Sequence, residues 1–85
     1  MNATKINIHK FSELFAEIYD YLYNTRSAYD AQMERAAAEK FDNAMKTSAN
    51  FRAFVSEYVD FRKDFISSDR EAAAFVLALD TLANA

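Results

Sequence analysis

The sequence predicts an all-α domain, a compact antiparallel four-helix bundle. Three observations point to it. The 85 residues include no Gly and no Pro, where average usage would place about ten of the two together. Favoured hairpin turns want Gly or Asn at positive φ, so several sheet turns built without Gly or Pro would be unusual; helix interiors need neither and are weakened by both. Apolar residues also recur at spacings of three and four along four stretches, the period of an amphipathic helix. The breaks between those stretches are short, which makes sequential helices antiparallel neighbours. The length fits a single domain over 1–85, with a small core.

The first helix is predicted from Ile8 to Tyr23. Ile8, Phe11, Phe15, Ile18 and Leu22 form one stripe, with Lys10, Glu13, Glu17 and Asp20 opposite it. Asn7 is placed to cap the start, and Asn24 to take the left-handed stop that Gly usually supplies. Leu14 and Tyr21 widen the stripe on one flank, Tyr19 and Tyr23 on the other. The apolar arc then spans roughly 200°, about twice that of an ordinary surface helix, so this helix is expected to touch more than one neighbour.

The second helix is predicted from Ala28 to Lys46, capped by Ser27, with Asp30 favouring the positive end of its dipole. Its stripe is Tyr29, Met33, Ala36, Ala37, Phe41, Ala44 and Met45, interrupted by Lys40. The alanines should let a neighbouring helix approach closely.

The third is predicted from Phe51 to Ile66. Phe51, Phe54, Val55, Tyr58, Phe61 and Phe65 make its stripe, widened by Val59 and Ile66, with Ser48 or Asn50 as cap. The break from Thr47 to Asn50 carries a weak signal. The alternative is therefore a three-helix arrangement with one long bent helix spanning 28–66.

The fourth is predicted from Asp69 to Ala83. Ser68-Asp69-Arg70-Glu71 reads as a capping box, the Ser hydroxyl serving the Glu71 amide and the Glu carboxylate reaching back to the cap amide. Ala72, Phe75, Val76, Leu79, Leu82 and Ala83 form a narrow face, with Leu77 pointing elsewhere.

Chemistry-bearing patterns are sparse. There is no Cys, which removes disulfides, thiol catalysis and Cys-based metal sites. Without Gly there is no phosphate-cradling loop. The single His, His9, cannot supply the paired Glu-x-x-His ligands of a bundle di-metal site, and it reads as a surface residue. Glu13, Glu17 and Asp20 make an acidic ridge that reads as a solvated helix face. No catalytic residue, cofactor or metal is expected, and the chain is read as non-enzymatic.

Four residues stand out as candidates for partner binding. Arg62 falls inside the apolar arc of the third helix. There it either snorkels to water near the helix end or serves as an interface arginine. Tyr19, Tyr21 and Tyr23 flank the first stripe, and Tyr is enriched at interfaces because its body is apolar and its tip polar. The net charge of −3 and a pI near 5.0 disfavour nucleic acid, whose non-specific binders carry the opposite sign.

No apolar run approaches the 18 or so residues of a membrane span. The start lacks a signal-peptide layout, so the Asn2-Ala3-Thr4 sequon is read as a chance match. A cytoplasmic protein is expected. Its expected work is to dock an aromatic-rich helical surface on a larger protein. Small phage or mobile-element inhibitors, anti-CRISPR proteins among them, act in that way; the likeness is one of type and rests on no motif. A self-associating assembly subunit, such as a homodimer, is the alternative, and a helical nucleic-acid-binding regulator a third.

Overall fold

A computed structural model describes residues 6–24 and 28–84. Helix α1 spans Ile8–Asn24, α2 Ala28–Thr47, α3 Ala49–Arg62 and α4 Asp69–Ala83. Together they form the four-helix bundle that the periodicity predicts. The radius of gyration is 12.4 Å, against about 12 Å for a packed domain of this length.

The start of α1 follows its cap. Asn7 Oδ1 accepts from the His9 and Lys10 amides at 2.8 and 3.2 Å. Its end differs from expectation. Asn24 stays helical, and its Nδ2 donates to the Asp20 carbonyl at 2.9 Å. Ser27 and the side chains of Tyr29 and Asp30 lie outside the described residues.

Ser48 alone separates α2 from α3, so the continuous 28–66 helix does not form. Its backbone is extended (φ −128°, ψ 114°), and its hydroxyl accepts from the Phe51 amide at 3.1 Å. Across the break, Arg52 Nη1 donates to the Met45 carbonyl at 2.7 Å. That contact satisfies a last-turn carbonyl of α2 and brings a cation to the negative end of its dipole.

The third helix stops at Arg62, four residues before its predicted end. Lys63 takes the left-handed conformation (φ 59°, ψ 37°), and its N–H donates to the Val59 carbonyl at 2.7 Å. Among the described residues it alone combines a side chain with positive φ. Phe65 and Ile66 therefore leave the helix and lie in the connection to α4.

That fourth helix is the centre of the bundle, not a helix with one narrow buried face. Ala72, Ala73, Ala74, Phe75 and Val76 are consecutive and all buried. Leu77, predicted to point elsewhere, packs against a second cluster of Leu22, Ala37, Ala73 and Ala74. Alanine says little in a hydrophobic pattern, yet its small side chain lets α1 and α2 close on both sides of α4. The face of α2 is turned accordingly: Ala37, Ala38 and Phe41 are buried, and Ala36 is exposed.

Aromatic packing fixes the directions. Phe75 is fully buried, with the rings of Phe11, Phe41, Phe51, Phe54 and Tyr58 around it at centroid distances of 4.7–5.8 Å. Phe11 meets Phe75 while Tyr23 lies beside Arg70, so α1 and α4 run antiparallel. Glu34 meets Arg70 and Phe41 meets Phe75, so α2 and α4 advance in the same direction. Helix α3 passes over Phe75 from the α2 side, where Phe51 meets Phe41, to the α1 side, where Phe61 meets His9. As its wide arc predicts, α1 touches both α3 and α4.

Candidate functional site

The end of α3 and the segment that follows it carry two of the four exposed large apolar side chains among the described residues. Phe61 lies in the last turn of α3 and is 40% exposed; Phe65, beyond the helix end, is 75% exposed. Phe61 packs edge-on against the His9 ring, with centroids 4.9 Å apart, so an exposed face of α1 and the end of α3 form one aromatic edge. This corrects the sequence pattern, which assigns both phenylalanines to the core. Glycine would have announced the stop; Lys63 in that role gives no such signal.

Beside this edge, Arg62 is exposed, and its Nη1 donates to Ser12 Oγ at 3.3 Å. Ser12 is a buried polar residue of α1, and the guanidinium supplies it with a partner. Arg62 thus lies at the junction of α1 and α3 and is not packed among the apolar residues.

Tyr19 is half-buried and stacks on Phe15, with centroids 6.2 Å apart and planes 11° from parallel. Both rings, with Arg62, Asp20, Asp64 and Glu71, line a cleft of about 230 Å³. The fold therefore brings two of the four candidate residues together. Tyr21 and Tyr23 are separated from that cleft and are about half exposed.

Tyr23 lies 5.5 Å from the Arg70 guanidinium, within cation–π reach. Arg70 Nε also pairs with Glu34 Oε2 at 3.1 Å, so one arginine of α4 links α1 and α2. Sequence patterning missed this link, since Arg70 reads only as an interior residue of the capping box.

That box forms with one change. Ser68 Oγ accepts from the Glu71 amide at 3.1 Å, while Glu71 Oε1 takes the Ser67 amide and the Ser67 and Ser68 hydroxyls, each at 3.1 Å. The carboxylate at the cleft is therefore fixed by the α4 cap.

Beneath the cleft, Tyr58 is only 3% exposed. Burial pushes its phenol above the ordinary value of 10.0; Arg62 opposes that rise, and Asp64 and Glu71 add to it. Its hydroxyl has no hydrogen-bond partner among the described residues.

Among the described residues, no group of His, Asp and Glu is arranged to hold a metal ion, and no helix is long and apolar enough to cross a membrane. Comparisons with protein-family models, curated proteins and solved structures return no match.

Proposed function

We propose that this chain is a non-enzymatic protein-binding domain whose aromatic edge docks on a larger partner. The observation that carries the proposal is Phe65. It is the most exposed large apolar side chain described, 75% exposed, and stands four residues from exposed Phe61. A ring left this exposed is apolar area that burial against a partner would stabilise, by roughly 25 cal/mol per Å². Aromatic residues also supply much of the energy at interface centres. Tyr21 and Tyr23 extend the exposed aromatic inventory at the other end of α1, and Arg62 adds a charged group beside the edge. The acidic net charge favours a protein partner over nucleic acid. Inhibitors of phage or mobile-element origin, anti-CRISPR proteins included, work by such docking, and that role falls within the proposal.

The test is a capture experiment with two variants. Phe65→Ser should abolish recovery of a partner by the tagged chain without lowering its melting temperature. Arg35→Ser, an exposed substitution on α2, should leave recovery intact. Light scattering over a range of concentrations then identifies the occupant. A monomer that captures another protein supports docking; concentration-dependent dimers dispersed by Phe65→Ser, with nothing else captured, assign the edge to a second copy and overturn it.

A further inference from the structure

A groove of about 650 Å³ opens between the first turns of α3, the later part of α4 and the residue that precedes the α1 cap. Its apolar walls are Ile6, Phe51, Phe54 and Leu79. All four are half-buried. Each packs on the core cluster with one side and faces the groove with another.

The core behind these walls fixes them. Phe51 is held edge-on by Phe41 and Phe75, at centroid distances of 5.3 and 5.6 Å. Phe54 is held by Phe11 and Phe75 at 5.0 and 5.8 Å. Between the two rings Ala53 adds only a methyl group, so the recess stays open. Its size falls within the roughly 300–1,000 Å³ of small-molecule sites, which are mostly apolar and largely preformed. Walls already ordered by the core also reduce the entropy lost when a ligand binds.

Charge narrows the occupant. Glu57 is the one charged residue among the described residues that line the groove, and it enters no ion pair among them. It stands two turns along α3 from Asn50, about 10 Å away. At that far end the Ser48 hydroxyl already takes the Phe51 amide, so the start of α3 is capped. An anion would meet Glu57 with no cation to offset it. A cationic nitrogen would be matched by it, and neighbouring aromatic rings attract cations further.

We propose that this groove binds a small amphipathic amine. The apolar body of the ligand lies against Phe51, Phe54, Ile6 and Leu79, and its cationic nitrogen pairs with Glu57. The site is separate from the docking edge and does not depend on it.

The test follows amide chemical shifts of the full chain with two probes that share an indole body: tryptamine, a cation, and indole-3-propionate, an anion. Tryptamine should give saturable shifts at Ile6, Phe51, Ala53, Phe54, Glu57 and Leu79, and indole-3-propionate should bind the same residues more weakly. Glu57→Gln should weaken tryptamine by about three- to fivefold, the scale of one exposed charge pair. Glu57→Lys should reverse the preference between the probes. Ala53→Trp, which fills the recess from an exposed position, should abolish binding of both while circular dichroism shows the parent's helical content. Phe65→Ser should leave tryptamine binding unchanged. No saturable shift, equal affinity for the two probes, a preference unmoved by Glu57→Lys, or full binding to a folded Ala53→Trp variant would overturn the proposal. Because Glu57 is exposed, its variants decide the matter even where Ala53→Trp does not fold.

Discussion

Phe11 of α1 and Phe75 of α4 meet with ring centroids 4.7 Å apart at 64°, and both side chains are completely enclosed. Their contact joins the first helix to the central one. The rings that α2 and α3 contribute close over Phe75 from the remaining sides, so this residue is where all four helices meet.

Truncating that hub should therefore be close to unfolding the domain. Phe75→Ala is expected to cost about 3–5 kcal/mol, a large part of the roughly 5–15 kcal/mol that holds a typical domain together. Phe65→Ala should stay within about 0.5 kcal/mol, although both remove the same ring. Urea denaturation monitored by circular dichroism compares them. Similar losses would show that Phe65 is packed.

Ser48 is expected to hold the α2–α3 break through its cap. Ser48→Ala should cost about 1 kcal/mol, which corresponds to roughly 4–8 °C in Tm at this chain length. Ser48→Asp, another good cap, should retain most of the stability. An Ala variant as stable as the parent would mean that Arg52 and the core alone determine the bend.

Lys63 pays for a left-handed conformation that suits Gly. Lys63→Gly should raise stability by about 0.5–1 kcal/mol, the relief of the side-chain clash outweighing the greater freedom of the unfolded chain. Lys63→Val should lower it, because a branched side chain fits that conformation worst. Thermal melts that rank Val above Gly would contradict the cap geometry.

Alkaline pH should expose Tyr58. Its folded-state pKa is raised, chiefly by burial. Its contribution is therefore complete below the ordinary value of 10.0 and is lost as pH rises through the folded value, because the unfolded chain releases the proton first. Stability should fall above about pH 10, and less steeply in Tyr58→Phe. Equal alkaline slopes in denaturant titrations would place the hydroxyl in water.

Much of this fold was legible because period-3.6 patterning and side-chain caps act locally. Asn7, Ser48 and Ser68 do what their positions imply, and the stripe of α1 is the stripe that packs. Harder to read were features decided by neighbours. Whether Ala72–Ala74 are core depends on which helices approach α4, and an alanine pattern does not state that. The end of α3 was missed because a lysine occupies a conformation usually marked by Gly, so Phe61 and Phe65 seemed to continue the buried stripe. Of the candidate residues, Tyr19 and Arg62 converge on one cleft although they lie on different helices. That convergence depends on how α3 crosses to α1, which no local spacing encodes. The pairing of Arg70 with Glu34 was equally remote, joining residues 36 positions apart.

Photo-crosslinking at the aromatic edge tests the central claim most directly. Benzoylphenylalanine placed at position 65, and separately at exposed position 35 on α2, is irradiated in extract of the source cell. The docking account predicts one discrete heavier adduct from position 65, containing a different protein, and none from position 35. Adducts of equal yield from both positions, or none from position 65, would contradict it.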